Sequence, residues 1–425
     1  MQFDLLVKGG EVVDDAAGLS GRSDVAVNRD RIVAVEPDIP AASAYRVIDA
    51  AGLHVAPGLI DIHAHVYRGA TYWGVDADAV GSRTGVTSWI DAGSPGALSL
   101  DGFRNFIIDP AEVRISTFLN ISNIGLVGQD FELCNLSYCD VDLFEMVANR
   151  NRDILHGVKV RMGVTTVGPN GLEPLRRGRQ AAERCGFPMM VHIATAPPSL
   201  PDILDLLRPG DIVTHCFTGQ TMRILDEKNK PLDVVRRAID QGIILDIGHG
   251  AGSFTFKTAE AALAAGIKPD VISTDIHQLS IEGPMFDMPT CLSKFLCLGY
   301  SLGEAVALAT SAPARILGLD GRGSLRPGSL ADIALLRLLD GDFPLYDIDN
   351  QMRTGKKLLV SEQTVVAGRP MARRAAPRRA EWVAAWANAG TITHIIDFQK
   401  ELFRRGHDPL AMARGCGCRP GGEPQ

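Results

Sequence analysis

Two histidines, His63 and His65, stand two residues apart at the end of the apolar run 58–65. In an extended strand residues i and i+2 project from one side, so both imidazoles can enter one site. Other metal-binding side chains stand in later apolar runs. Lys159 lies in 156–162, His192 in 187–194, His215 in 211–217 and Asp275 in 271–277. Neutral imidazole and carboxylate suit zinc and similar divalent ions. Each residue has a plainer reading alone: a strand Lys at an edge, a strand His hydrogen-bonded in the core, an Asp capping the next helix. Those readings do not explain why five runs carry such groups at the same end.

A second set of residues suits substrate contact. Arg161 shares a strand face with Lys159, and a guanidinium pairs bidentately with a carboxylate. It can equally form a salt bridge to a neighbouring loop. Asn120, near the end of the run 113–122, can bond substrate or satisfy a buried loop. His249 lies between Gly248 and Gly250, which would let the backbone approach a ligand. His277 shares a face with Asp275, to orient it or to touch substrate. His54 and His156, at the opposite ends of their strands, read as structural. The segment 278–290 reads as a lid or as a long connection.

These residues need elements that converge. Eight apolar runs start at 58, 85, 113, 156, 187, 211, 242 and 271, and helical stretches separate several of them. That alternation predicts an α/β protein with a parallel (β/α)8 TIM-type barrel, whose active site lies at the C-terminal ends of its strands. A doubly wound sheet would need a glycine-rich loop after the first strand, and residues 61–69 are not one. Residues 1–57 and 322–372 share a β texture. They predict a small β-sandwich domain built from both flanks, with the metal-binding barrel at 58–321 between them. Residues 373–425 read as a basic linker, a helical extension carrying Trp382 and Trp386 one turn apart, and a disordered tail with Cys416 and Cys418.

The chain has 425 residues with a net charge of -7, and 46% of them are hydrophobic. This excludes a disordered chain and argues against a nucleic-acid partner. Eight scattered cysteines read as reduced thiols. The N-terminus shows no basic region followed by an apolar one, and no run approaches about 18 apolar residues. A cytoplasmic protein without a membrane partner is expected.

With these residues in place, the sequence resembles the amidohydrolase superfamily of metal-dependent hydrolases, over nearly the whole chain to about residue 370. Residues 55–65 (VAPGLIDIHAH) resemble its opening signature and 323–333 (GSLRPGSLADI) its return into the small β-domain. Its amidohydrolase/deacetylase, dihydroorotase-like branch is the most similar. The resemblance implies two divalent metal ions, taken as zinc, held by His63, His65, Lys159, His192, His215 and Asp275. Lys159 would be carboxylated by carbon dioxide and bridge the metals, a water between them would be activated, and Asp275 would carry its proton. Dihydroorotases typically place Arg two residues after the second His. Here Tyr67 holds that position and Arg68 is one step late, although both remain candidate substrate contacts.

The leading expectation is a binuclear deacetylase that removes an acyl group, acetyl above all, from a small carboxylate-bearing substrate. An acetylated α-hydroxy acid or an N-acetyl amino acid would fit. The alternative is ring opening of a cyclic amide. A non-catalytic interaction protein is remote, because all six ligand positions are filled. A homo-oligomer is compatible with the sequence.

Overall fold

The computed structural model describes residues 2–381 and 383. The expected Trp382–Trp386 pair, the helical extension and the Cys416–Cys418 tail lie outside the described residues. Among the described residues fifteen strands follow in order. The N-terminal flank holds β1 (Phe3–Asp14), β2 (Leu19–Asn28), β3 (Arg31–Glu36), β4 (Ala44–Asp49) and β5 (His54–Pro57). The middle holds β6 (Leu59–Ala64), β7 (Val86–Gly96), β8 (Arg114–Asn120), β9 (Leu155–Met162), β10 (Met189–Ile193), β11 (Ile212–Thr214) and β12 (Ile244–Asp246). The C-terminal flank adds β13 (Ile333–Tyr346), β14 (Met352–Val366) and β15 (Arg369–Pro370).

Strands β6 to β12 form one parallel sheet in sequence order. β6 and β7 are buried at every position, as expected of parallel strands covered on both faces. Helices follow the strands, and one shows how sequence sets the packing. In Glu173–Cys185, residues Leu175, Gly178, Ala181, Ala182 and Cys185 are buried, an apolar stripe at helical spacing. Gly186 ends the helix in a left-handed conformation. A Cβ at Gly178 would meet Val160 Cγ2 at 2.6 Å, so the missing side chain lets the helix lie against β9.

The eighth run, 271–277, is a weaker strand than expected. It touches both edges of the sheet by single parallel bridges, Asp246 to Val271 and Ala64 to Ile276, without a continuous ladder. Asp275 has φ +49, a left-handed conformation that interrupts extended pairing. Buried Asp61 substitutes for the missing bonds, accepting the Thr274 amide at 3.1 Å and the Thr274 hydroxyl.

The two flanks meet where β5 pairs antiparallel with β13. They form one hydrogen-bonded sheet, in the order β15-β14-β13-β5-β1-β2-β3 with β4 on β1. The reason lies in β1, whose register shifts between Val7 and Gly10, so one edge carries β4 along its first half and β5 along its second. Leu5, Val25, Val55, Ile333 and Val365 share one core from both flanks. Among the described residues, no helix is long and apolar enough to cross a membrane.

Candidate metal centre

The parallel sheet delivers its polar side chains to one end. His63 on β6 is 1% exposed and His65, just past it, 6%. Their Nε2 atoms lie 3.4 and 3.1 Å from Asp275 Oδ1. One ligand atom from each of the three falls within 4.8 Å of the others, a spacing that can hold a cation. Lys159, on β9 and fully buried, brings Nζ to 3.2 Å from His63 Nε2. His192 on β10 turns Nδ1 toward His215 Nε2 at 2.7 Å, and the His63 and His215 rings are 5.0 Å apart. His215 follows β11 in a left-handed conformation, φ +70, so alternation along an ideal strand does not set its direction.

The hydrogen bonds fix which imidazole nitrogens are bare. His215 Nδ1 lies 2.6 Å from the Gly248 carbonyl, which only accepts, so Nδ1 carries the proton and Nε2, facing His192, is unprotonated. Thr214 donates its hydroxyl to Asp246 Oδ2 at 2.7 Å and therefore accepts from His63 Nδ1, also at 2.7 Å. His63 Nε2 is thereby left bare. His65 Nδ1 is held by Ser94 Oγ at 2.9 Å, and Asp91 holds the Ser94 amide at 2.6 Å. Such partners orient metal-binding histidines and raise their basicity. Unprotonated Nε2 atoms of His63 and His215, with His65, His192 and the Asp275 carboxylate beside them in a buried site, fit a divalent cation.

Burial sets the charge states. It pushes His63, His65 and His192 well below the ordinary imidazole range, with neighbouring cationic and imidazole groups adding to it. His215 falls to about 4 for the same first reason. Lys159 is lowered to about 7 by burial, against the attraction of Asp275. Its neutral amine is therefore accessible near neutral pH, the form that can add to carbon dioxide. Asp246 rises to about 6 by burial, opposed by bonds from Ser273 and Thr214.

Above these residues a pocket encloses about 200 Å³. Arg161 and His277 line it, together with Trp73, Gln129, Thr195 and Gln220. Arg161 makes the salt bridge that is one of its two readings. Its Nη1 is pinned by the Gln129 carbonyl at 3.3 Å and Glu132 Oε1 at 3.2 Å, while the side chain still faces the pocket. His277 Nδ1 accepts the Leu279 and Ser280 amides at 3.2 and 3.3 Å. Its Nε2 therefore carries the proton when the ring is neutral, 4.0 Å from Asp275 Oδ2.

Four of the expected substrate contacts are placed elsewhere. Tyr67 packs on Phe103 and donates its hydroxyl to the Ser99 carbonyl at 3.1 Å, inside the core. Arg68 has a side chain 66% exposed and paired with Asp76 on the surface. Asn120 is fully buried, bonded to the Gly93 carbonyl and the Ser122 amide, and satisfies the loop. His249 stacks on Phe254 and accepts from Lys294 Nζ at 2.7 Å, outside the pocket lining. Its glycines serve the site instead. A Cβ at Gly248 would meet Thr214 Oγ1 at 2.3 Å, and one at Gly250 would meet Asp275 Oδ2 at 2.4 Å. The segment 278–290 is largely buried, a packed connection from which Leu279 reaches the pocket.

The orienting residues Asp61, Ser94, Asp91, Thr214 and Asp246 were not singled out from the sequence. Asp61 and Asp246 sit within apolar runs, where an acid needs a reason to be buried, and that was the available signal.

A parallel sheet that gathers imidazoles, a lysine and an aspartate at one end is the arrangement of a metal-dependent hydrolase. A family model described as "Amidohydrolase family" matches residues 298–372. A deacetylase from Agrobacterium fabrum is 34% identical over 376 residues, covering 88% of this chain and 92% of that protein. Two crystal structures, titled as an adenine deaminase and as a dihydroorotase, each superpose with TM-score 0.80 at 33% and 34% identity. Each comparison covers 87% of this chain and 99% of the solved one. The chain belongs to the amidohydrolase family, in its deacetylase and dihydroorotase-like branch.

Proposed function

We propose that this protein is a metal-dependent deacetylase acting on a small carboxylate-bearing molecule. The observation that carries the proposal is the convergence of His63, His65, Lys159, His192 and Asp275 on a pocket that Arg161 also lines, with His215 beside His192. The similarity to a deacetylase over most of the chain supports the reaction class. His63, His65 and Asp275 would hold one divalent ion, and His192 and His215 a second, with carboxylated Lys159 between them. Zinc suits these donors. Bound there, the metal supplies Lewis-acid polarisation of a carbonyl and a lowered pKa for water.

The protein's own groups do the rest. Asp275 turns Oδ1 to the histidines, and Oδ2 lies on the side of His277. That second oxygen is placed to hold a proton and return it to the leaving group. Neutral His277 offers its Nε2 proton to an oxygen of the substrate. Arg161 receives the carboxylate, with Glu132 fixing the guanidinium plane. The pocket volume restricts the substrate to a small molecule, such as an acetylated α-hydroxy acid or an N-acetyl amino acid.

The finer architecture is part of this proposal. Residues 271–276 close the sheet as the eighth strand of a (β/α)8 barrel, and the bent β1 folds the flanking sheet into a small sandwich.

The test combines metal analysis with a substrate screen. Zinc- or manganese-loaded protein should hydrolyse acetylated α-hydroxy acids or N-acetyl amino acids. Lys159→Ala should lose bound metal and activity together; a purified variant that keeps both overturns the bridging role. The second reading is ring opening of a cyclic amide, favoured by the likeness to the structure titled dihydroorotase. The core position of Tyr67 and the surface position of Arg68 weigh against it. Turnover of dihydroorotate alone would reverse the order of the two.

A further inference from the structure

After β15 the chain runs along the outside of the helix Ala77–Thr84 toward the mouth of the pocket. Arg374 fixes the start of this course. Its amide bonds Ser82 Oγ at 3.1 Å, its carbonyl accepts from Arg83, and its guanidinium pairs with Asp78 at 3.1 Å. The far end is fixed at the mouth. Val383 is 0% exposed, packed on Tyr72, Ala251 and Leu279 with Trp73 at the edge of the cluster. Three of those four residues, Trp73, Ala251 and Leu279, also line the pocket.

Gln278 joins the strap to the site. Its Oε1 accepts the Ala380 amide at 2.8 Å, while its Nε2 donates to the Tyr72 carbonyl at 2.9 Å. Its own amide donates to the Trp73 carbonyl at 2.9 Å. Arg379 pairs with Glu282 at 3.1 Å, farther along the same connection. The Trp73 ring in turn stands edge-on to His277 at 4.8 Å, and the Arg161 guanidinium lies 5.7 Å from its centre.

We propose that Arg379, Ala380 and Val383 anchor a positioning strap, which sets the pocket wall made by Trp73 and Leu279 and thereby the substrate's fit beside Arg161 and His277. The partners of Arg379, Ala380 and Val383 named above are Glu282, Gln278 and the Tyr72–Ala251–Leu279 cluster, not the metal-binding side chains. The three anchors act through Gln278 and Trp73, so their effect falls on substrate binding rather than on the metal. The catalytic part of this inference rests on the deacetylase reading; the positioning part does not.

The test uses the full-length chain with three variants. Ala380→Pro removes the N–H that Gln278 accepts, Val383→Asp expels the buried side chain, and Val383→Ile conserves it. Hydrogen exchange followed by mass spectrometry reads positioning without any substrate. Exchange should rise tenfold or more in peptides covering 70–75 and 277–283 in Ala380→Pro and Val383→Asp, with bound metal as in the wild type. Val383→Ile should match the wild type. With a turned-over substrate, KM should rise fivefold or more while kcat stays within twofold. Faster exchange at 380–383 that leaves 70–75 and 277–283 unchanged overturns the strap. So does a loss of bound metal in proportion to the loss of activity. Absence of turnover in the metal-loaded wild type would sink the deacetylase reading and leave the exchange result standing.

Discussion

Thr214, outside the pocket lining, decides through one proton which nitrogen of His63 stays bare. Its hydroxyl donates to Asp246 and so must accept from His63 Nδ1, which leaves Nε2 bare for a cation. Thr214→Val keeps the shape and removes the relay. The expected outcome is metal affinity about 10–100-fold weaker with the fold intact, measured by chelator competition. Arg161 is argued at the same scale. Arg161→Lys keeps a charge but loses the planar fork. KM for carboxylate substrates should rise at least tenfold in Arg161→Lys, with little change for an uncharged acetyl ester. Equal loss on both substrates would remove the carboxylate from the proposal.

Elements position these residues, and the loop after β12 does so by what it lacks. Gly248 has φ +46, and a Cβ there would meet Thr214 Oγ1 at 2.3 Å and His63 Nδ1 at 2.8 Å. Gly248→Ala should cost about 1–3 kcal/mol of stability through overpacking and lower the metal content as well. Thermal unfolding and metal analysis check both. At this scale the sequence was readable where periodicity was regular. The runs expected as strands overlap β6 to β12, with β7 running on past its run to Gly96 and β9 starting one residue early at Leu155, because apolar period and flanking glycines both mark them. The run 271–277 reads as an ordinary strand, yet only bridges survive there, since Asp275 adopts a left-handed backbone that no local pattern announces. The pairing of the flanks was unreadable for a related reason: a register shift inside β1 depends on which strands arrive beside it.

The whole molecule carries an acid sensitivity built from its buried imidazoles. All eight histidines among the described residues are held below the ordinary range, with burial the first cause in each. His156 is lowered to about 4, beside Ser116 and away from the metal-binding histidines. A group whose folded pKa is depressed binds its proton first in the unfolded chain. Its contribution is complete above about pH 6.5 and is lost as pH falls toward 4. Denaturant midpoints should therefore drop across that window, and His156→Gln should drop less steeply than the wild type. Parallel slopes for the two proteins would count against this account.

The sequence alone determined the family, the alternation of strand and helix, and the six side chains that meet at the site. The alternation and the side chains are written in local period and residue type, and the family in the resemblance of residues 55–65 and 323–333 to its motifs. Tyr67, Arg68, Asn120 and His249 were equally visible as chemically able residues, and the fold sent all four away from the pocket. Which polar side chain faces substrate, which nitrogen stays bare and which chain segment frames the mouth are settled between residues far apart in sequence. Asp61 meeting Thr274, Thr214 meeting His63 and Gln278 meeting Ala380 exist only once the chain has closed on itself. Burial then sets the protonation states that make those meetings useful.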